Sequence, residues 1–363
     1  MAKIRVAIVG IGNCASALLQ GLEYYQNPVH NNTLRGLMEP FIGPYGIESI
    51  DVVMAFDVDS RKVNFPLKYA IYQGNNCCYE MVPGISNETV VLASPILDGV
   101  SEHMMHSFCP VDAPVASTPE EMAKLLKEAN IDILVNYLPV GSEKATYFWA
   151  DTCLLAKVAM MNCIPVFVAS NEVYAKKFED AGVPLIGDDI KSQFGASIVS
   201  QVLEELAIDR GHTVVYHVQQ NTGGNTDFLN MTNQDRLASK KISKENVIRS
   251  QHAVRCEETP FVHAGPSDYV KIYGDTKICH IDLELKGFGG SPVHLDLKLK
   301  VQDSPNSAGV VIDAIRYLKL AKDAGKKGPQ DVSSFLCKSP PIPKRFTDAK
   351  ETAYILARNF ERS

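Results

Sequence analysis

Residues 3–25 read KIRVAIVGIGNCASALLQGLEYY, and their reading decides the fold. The opening KIRVAIVG is an apolar run that ends in glycine, the pattern of a strand buried on both faces of a parallel sheet. Ala15, Leu18, Leu19 and Leu22 then recur at helical spacing. Between the two, Gly10, Gly12 and Ala15 fit G-x-G-x-x-A where a strand ends and a helix begins. Glycines there permit a tight turn and close backbone approach, and the helix N-terminus faces a pyrophosphate. A bare glycine turn is the simpler alternative.

In a dinucleotide unit the acidic partner of the ribose hydroxyl usually lies ~20 residues further on. Here the best candidate, Asp57 in AFDVD, stands 47 residues after Gly10. The Pro, Asn and Gly-rich stretch 27–46 supports no periodic pattern and reads as an inserted loop, which explains the delay. Carboxylates at Asp57 and Asp59 favour NAD over NADP, although Arg61 keeps a 2′-phosphate open. Strand patterns follow at SIDVVMAFDVD, IDILVNYLP and VAMMNCIPVFVAS, with a helix at about 119–129. This alternation predicts a doubly wound α/β sheet of the Rossmann type.

Beyond GDDIKSQFGAS the pattern changes. Residues 213–221 and 277–300 alternate apolar and polar, as half-buried antiparallel strands do, so a second α+β domain on a mostly antiparallel sheet is expected. A helix in SAGVVIDAIRYLKLAKDAG, an extended KSPPIPKR and a last helix at about 347–361 end the chain. With 363 residues, about twice the usual domain length, two domains, or one large domain carrying an insertion, are expected.

Composition narrows the function. The chain carries 36 Lys plus Arg against 42 Asp plus Glu, a net charge of −6, which argues against nucleic acid or an anionic membrane as the main partner. No apolar stretch reaches the ~18 residues of a membrane span, and the start leads straight into a strand pattern, so a cytoplasmic protein is expected. Nine scattered cysteines with no CxxC pair indicate neither a disulfide framework nor a cysteine zinc site.

Three polar stretches stand out. Asp188 and Asp189 end a strand, and Ser192, Gln193 and Gly195 open a helix whose free N–H groups suit a phosphate, unless Ser192 is merely a cap. NTGGNTDFLN is a glycine turn with Asn225 and Asp227. SKKISK puts Lys240 and Lys244 at i and i+4, either a solvated basic face or a pair that an anion neutralises.

Taken together, VAIVGIGNCASALLQGLEYY, LPVGSE, GDDIKSQFGA, GGNTDFLN, SKKISK, GPSDY, DSPNSAGVVIDA and KSPP, in this order, resemble the myo-inositol-1-phosphate synthase family. The resemblance covers almost the whole chain and is nearer the bacterial and archaeal form. It implies a redox-neutral, NAD-dependent isomerase that converts D-glucose 6-phosphate to 1D-myo-inositol 3-phosphate, the first step of inositol and inositol phospholipid biosynthesis. The steps implied are oxidation at C5, enolisation towards C6, aldol closure on C1 and re-reduction. It further implies a nucleotide domain split between 1–190 and 303–363 around a central domain, 191–302, through which a homotetramer is built.

Carried over by position, the resemblance puts Lys240, Lys244, Lys277 and Lys338 in the active site with Asp189, Asn225, Asp227 and Asp303. Lys240 and Lys338 are expected at the reacting oxygens, and Ser192, Gln193, Lys244 and Lys277 at the substrate phosphate. The cofactor is expected against Gly10, Gly12, Asn13, Cys14, Asp57, Tyr137, Leu138, Pro139, Asp188 and Asp303. Members of the family differ in whether they use a divalent metal or a monovalent cation. Such an ion would take carboxylates and the cofactor phosphate as ligands. Two departures touch the cofactor: GIGNCAS stands where eukaryotic members carry an asparagine and glycine-rich loop, and IPVF where they carry SPQN. The rival functions are a net dehydrogenase of a sugar phosphate on the same fold and a non-catalytic NAD-binding regulator.

Overall fold

The central strand is the one that opens the sequence. In the computed structural model, which describes residues 3–31, 36–111, 113–232, 248 and 260–358, β1 spans Ile4–Val9. It is joined by β2, Ile50–Asp57, β3, Val91–Ala93, β4, Ile133–Asn136, β5, Ala159–Asn162, and β6, Pro184–Ile186. These strands pair in parallel in the order β3-β2-β1-β4-β5-β6, so the direction of progression reverses at β1. Ligands of such sheets bind beyond the strand ends at that reversal.

Period-two alternation divides β1 between two cores. Ile4, Val6 and Ile8 pack on one face with Leu18 of helix α1, Asn13–Tyr24. Ala7 and Val9 pack on the other with Phe56 and the single tryptophan, Trp149. Helix α2, Pro119–Glu128, begins with a reciprocal cap. The Thr118 hydroxyl accepts from Glu121 N–H at 3.2 Å, and the Glu121 carboxylate accepts from Thr118 N–H at 3.3 Å. Helices α3, Glu143–Ala156, and α4, Glu172–Ala181, complete the crossovers from β4 and β5.

Helix α5, Ala196–Asp209, leads to a four-stranded sheet made of β7, Thr213–Gly223, β8, Phe261–Tyr269, β9, Thr276–Lys286, and β10, Pro292–Gln302. The sheet is mixed, in the order β10-β9-β7-β8: two pairings are antiparallel, and β8 lies parallel to β7. The alternating stretch 277–300 forms the antiparallel strands expected of it, β9 and β10, joined as a hairpin turned by Gly287–Ser291. Helix α6, Asp303–Asp323, then returns to the first sheet, where Val311 and Ile315 join the core beneath β1. Strand β11, Gly328–Pro329, adds a seventh parallel strand beside β6, and helix α7 spans Phe346–Arg358.

The expected insertion is held by a buried cation. Arg316 on α6 is fully buried; its guanidinium donates to the carbonyls of Pro40 at 2.9 Å and Glu39 at 2.8 Å and pairs with buried Asp313. Replacing Arg316 leaves two loop carbonyls without their donor and a buried carboxylate without its cation. Arg316→Met is expected to lose about 3–5 kcal/mol of stability in chemical denaturation. A loss under about 1 kcal/mol would show that the insertion is anchored elsewhere.

Candidate active site

One cleft runs along the carboxyl edge of the parallel sheet and under the mixed sheet. Its first end is the turn between β1 and α1. Gly10 has φ +89°, and a Cβ there would stand 2.6 Å from the Tyr137 carbonyl oxygen, so a side chain is excluded. A Cβ on Gly12 would meet nothing within 4 Å, which leaves the open side of the turn to a ligand. Tyr137 adds a second signal, because its phenol oxygen is buried in the cleft wall and has no hydrogen-bond partner among the described residues. A dinucleotide fits this donor set, with its pyrophosphate at the start of α1.

Asp57 ends β2 as the sequence predicts. Its Oδ2 accepts from Ile11 N–H at 2.7 Å, and its Oδ1 from Val58 N–H at 2.7 Å and Asp59 N–H at 2.9 Å. These bonds tie the acidic residue to the turn it must serve. Arg61, which kept a 2′-phosphate open, is committed elsewhere: it pairs with Asp59, with Nε 2.8 Å from Oδ1, and donates to the Ser107 carbonyl at 2.8 Å.

The second end is built by two segments far apart in sequence. After β6 the chain turns through Asp189, whose φ of +60° is in the left-handed region, and residues 188–191 pair with 336–339. Lys338 thereby reaches Asp189, Nζ to Oδ1 2.7 Å, with both side chains largely buried. Asp188, by contrast, points behind the wall. Its carboxylate accepts from Asn162 Nδ2 at 2.7 Å, from the N–H groups of Val168, Ala169 and Ser170, and from the Ser170 hydroxyl at 2.8 Å. Burial lifts its pKa to about 6 against the pull of these donors. Its part is to hold the 164–170 turn beside the cleft.

Helix α5 aims its N-terminus at this end, with Gly195 as cap, and Ser192, Ala196 and Ser197 line the cleft. Ser192 is therefore not the cap. Gln193 turns aside: its amide donates to the Gly36 carbonyl at 2.6 Å, and its N–H to Asn306 O at 2.8 Å. From β9 comes Lys277, from the turn after β7 come Asn225 and Asp227, and from the start of α6 comes Asp303; Lys277 Nζ lies 3.1 Å from Asp303 Oδ1.

Of the residues expected at the cofactor and the reacting centre, Gly10, Gly12, Asn13, Cys14, Asp57, Tyr137, Leu138 and Pro139 line the cleft. So do Asp189, Ser192, Asn225, Asp227, Lys277, Asp303 and Lys338. Lys240 and Lys244 lie outside the described residues. Among the described residues no group of His, Cys, Asp or Glu is arranged to hold a metal ion.

Sequence reasoning missed Asp275. It is buried behind Asn225, whose Nδ2 donates to its Oδ1 at 3.1 Å; the Ser304 hydroxyl donates to the same oxygen at 2.8 Å and Ser304 N–H to Oδ2 at 3.1 Å. Burial first, and the neighbouring Asp303 second, raise its pKa to about 6. Burial, followed by Asp275, Asp303 and Asp227, pushes the Cys14 thiol up to about 12, so the cysteine that opens α1 is neutral. The signal that could have found Asp275 is the string GDTK, in which it stands two residues before Lys277.

A family model described as myo-inositol-1-phosphate synthase matches residues 195–304. The chain is 48% identical over 343 residues to the inositol-3-phosphate synthase of Mycolicibacterium smegmatis, an alignment that spans 93% of each chain. It is 45% identical over 344 residues to the inositol-3-phosphate synthase of Corynebacterium glutamicum, again spanning 93% of each. The crystal structure of a myo-inositol-1-phosphate synthase-related protein from Thermotoga maritima has the same fold, with a TM-score of 0.82, 24% identity and 98% of each chain covered.

An acid with a raised folded-state pKa holds its proton where the unfolded chain has lost it. Asp275 therefore favours folding below about pH 4, and this contribution is lost as pH rises through about 6. Between pH 4 and 7 the fall in stability is expected to be smaller in Asp275→Asn than in wild type, by up to ~3 kcal/mol in urea titrations. Parallel pH profiles for the two proteins would place the proton elsewhere.

Proposed function

The chain belongs to the myo-inositol-1-phosphate synthase family, and on that premise we propose that it is the NAD-dependent, redox-neutral isomerase that converts D-glucose 6-phosphate to 1D-myo-inositol 3-phosphate. The observation that carries this reading is the single cleft that joins the dinucleotide turn at Gly10 and Gly12 to the Lys338–Asp189 and Lys277–Asp303 pairs. A non-catalytic binder has no need of lysines and carboxylates gathered from such separate segments, and a simple dehydrogenase needs fewer.

Bound NAD supplies a reversible hydride acceptor for C5 of the substrate. The protein's share is acid-base and electrostatic. Oxidation at C5 requires the hydroxyl proton to leave, and Lys338, held by Asp189, is the group assigned to that oxygen together with Lys240. Once C5 is a ketone its neighbouring C6 protons are acidic. Enolisation develops negative charge on the C5 oxygen, and closure of the ring on C1 develops it on the former aldehyde oxygen. Fixed ammonium donors in the cleft stabilise both charges.

The N-terminus of α5, with Ser192, is assigned to the substrate phosphate together with Lys277 and Lys244. Gln193 serves that site through the insertion it holds rather than by direct contact. Asn225, Asp227 and Asp303 orient the polyol, with Asp275 fixing Asn225 from behind. Residues 1–190 with 303–363 form the nucleotide domain in this reading, and 191–302 the domain that closes over the substrate. The apolar side chains left exposed on the latter, Phe261, Ile272 and Phe288, support a homotetramer that covers them. Among the described residues no helix is long and apolar enough to cross a membrane, in keeping with a place in the cytoplasm.

Purified protein incubated with glucose 6-phosphate and NAD is expected to yield inositol phosphate without net NADH. Stoichiometric NADH without cyclised product would overturn the isomerase in favour of the dehydrogenase. Lys338→Ala is expected to lower kcat by ~10²–10³ or more while NAD affinity stays within roughly 2-fold. A large loss of NAD binding in that variant would remove Lys338 from the substrate end of the cleft.

A further inference from the structure

A buried cation that the steps above do not use stands against the dinucleotide turn. Lys62, five residues past the end of β2, is 3% exposed and lines the cleft. Its Nζ donates to the Ile11 carbonyl at 2.8 Å and to Asn76 Oδ1 at 3.1 Å, and lies 3.8 Å from Asp57 Oδ2. The Ile11 carbonyl receives a second donor, Asn76 Nδ2, at 3.1 Å. The next residue, Cys77, donates its N–H to Asn13 Oδ1 at 2.7 Å. The segment that carries Asn76 and Cys77 is thus strapped across the turn, at the residue between its glycines and again at the first residue of α1.

Ion pairing with Asp57 is a weak account of this arrangement, since that carboxylate already accepts three backbone N–H groups and stands at the limit of contact. A buried ammonium is costly, and an apolar side chain of similar volume fills such a space at less cost. What the ammonium does is act on a carbonyl. Two donors on Ile11 C=O polarise the Ile11–Gly12 peptide, and a polarised peptide is a better donor through its N–H. That N–H belongs to the turn at the start of α1, where an anion binds.

We propose that Lys62 is a positioning residue for the dinucleotide: it fixes and polarises the phosphate-binding turn through the Ile11 carbonyl and ties the strap to that turn through Asn76. The reaction read for this cleft removes a hydride and later returns it, so it needs the same cofactor molecule held throughout, and Lys62 serves that retention. The inference rests on NAD being the cofactor.

The test compares wild type, Lys62→Met and Lys62→Arg by calorimetric titration with NAD and by kcat at saturating NAD. In Lys62→Met the NAD Kd is expected to rise ~10–100-fold, the cost of losing a charged hydrogen-bond donor, while kcat at saturation falls by less than roughly 3-fold. Lys62→Arg, which keeps the charge and the donors, is expected to recover most of the affinity. An unchanged Kd in Lys62→Met, or a kcat loss with Kd unaltered, would overturn the proposal. Should Lys62→Met fail to fold, Asn76→Leu removes the strap's bond to Lys62 and the second donor on the Ile11 carbonyl: a severalfold rise in NAD Kd supports the proposal and an unchanged Kd refutes it. Wild-type protein that does not bind NAD would instead sink the cofactor reading on which the inference stands.

Discussion

The backbone ladder between residues 188–191 and 336–339 is the constraint on which the Lys338–Asp189 end of the cleft depends. Asp188 and Ser339 exchange N–H···O bonds at 3.0 Å each, Lys338 N–H reaches Asp189 O at 2.7 Å, and Lys191 N–H reaches Leu336 O at 2.9 Å. The two segments are about 150 residues apart, and the entropy of closing so long a loop grows only logarithmically with its length. Close pairing fixes more than a pair of strands. It sets Lys338 against Asp189, turns Asp188 back to hold the 164–170 wall, and delivers Ser192 to the mouth of α5. A single turn therefore positions a cation, a carboxylate and a helix N-terminus, three groups that no contiguous stretch of sequence could bring together.

The fold was legible where burial imposes a period. β1 carries apolar residues on both faces because it lies between two cores, and α1 shows Ala15, Leu18 and Leu19 at helical spacing because these residues join the core that β1 shares. Asp57 could be placed despite its distance from Gly10 because the intervening stretch supports no periodic pattern and so reads as an insertion. What escaped has a different physics. β3 and β11 are three and two residues long, too short for any pattern, and exist only because a neighbouring strand offers a free edge. The parallel pairing of β8 with β7 is likewise a matter of long-range partnering, which alternation within a strand does not encode.

Polar residues of the site divide along the same line. Gly10, Gly12, Ser192 and Asn225 sit in turns, where composition marks them. Asp188 and Asp189 are adjacent and identical in type, yet the left-handed turn at Asp189 sends one carboxylate into the cleft and the other into a nest of donors behind it. Lys62 and Asp275 look like surface residues in the sequence, and only burial together with their partners reveals them as internal supports. Gln193 offers the converse: its string reads as a phosphate loop, but Asn306 and the Gly36 carbonyl claim its backbone and side chain.

Charge balance links these supports to the chemistry. Burial raises the Cys14 thiol, and Asp275, Asp303 and Asp227, which converge on the start of α1, raise it further; Asp189 lines the same cleft. A phosphate ester and a pyrophosphate add further negative charge to such a cleft, and the reaction develops still more on oxygen. Lys277 and Lys338 each stand against one of these carboxylates, so their fields are partly spent before substrate arrives. Among the described residues the cleft is lined by Asp57, Asp189, Asp227 and Asp303 against Lys62, Lys277 and Lys338, a small surplus of carboxylates that an anionic substrate must meet.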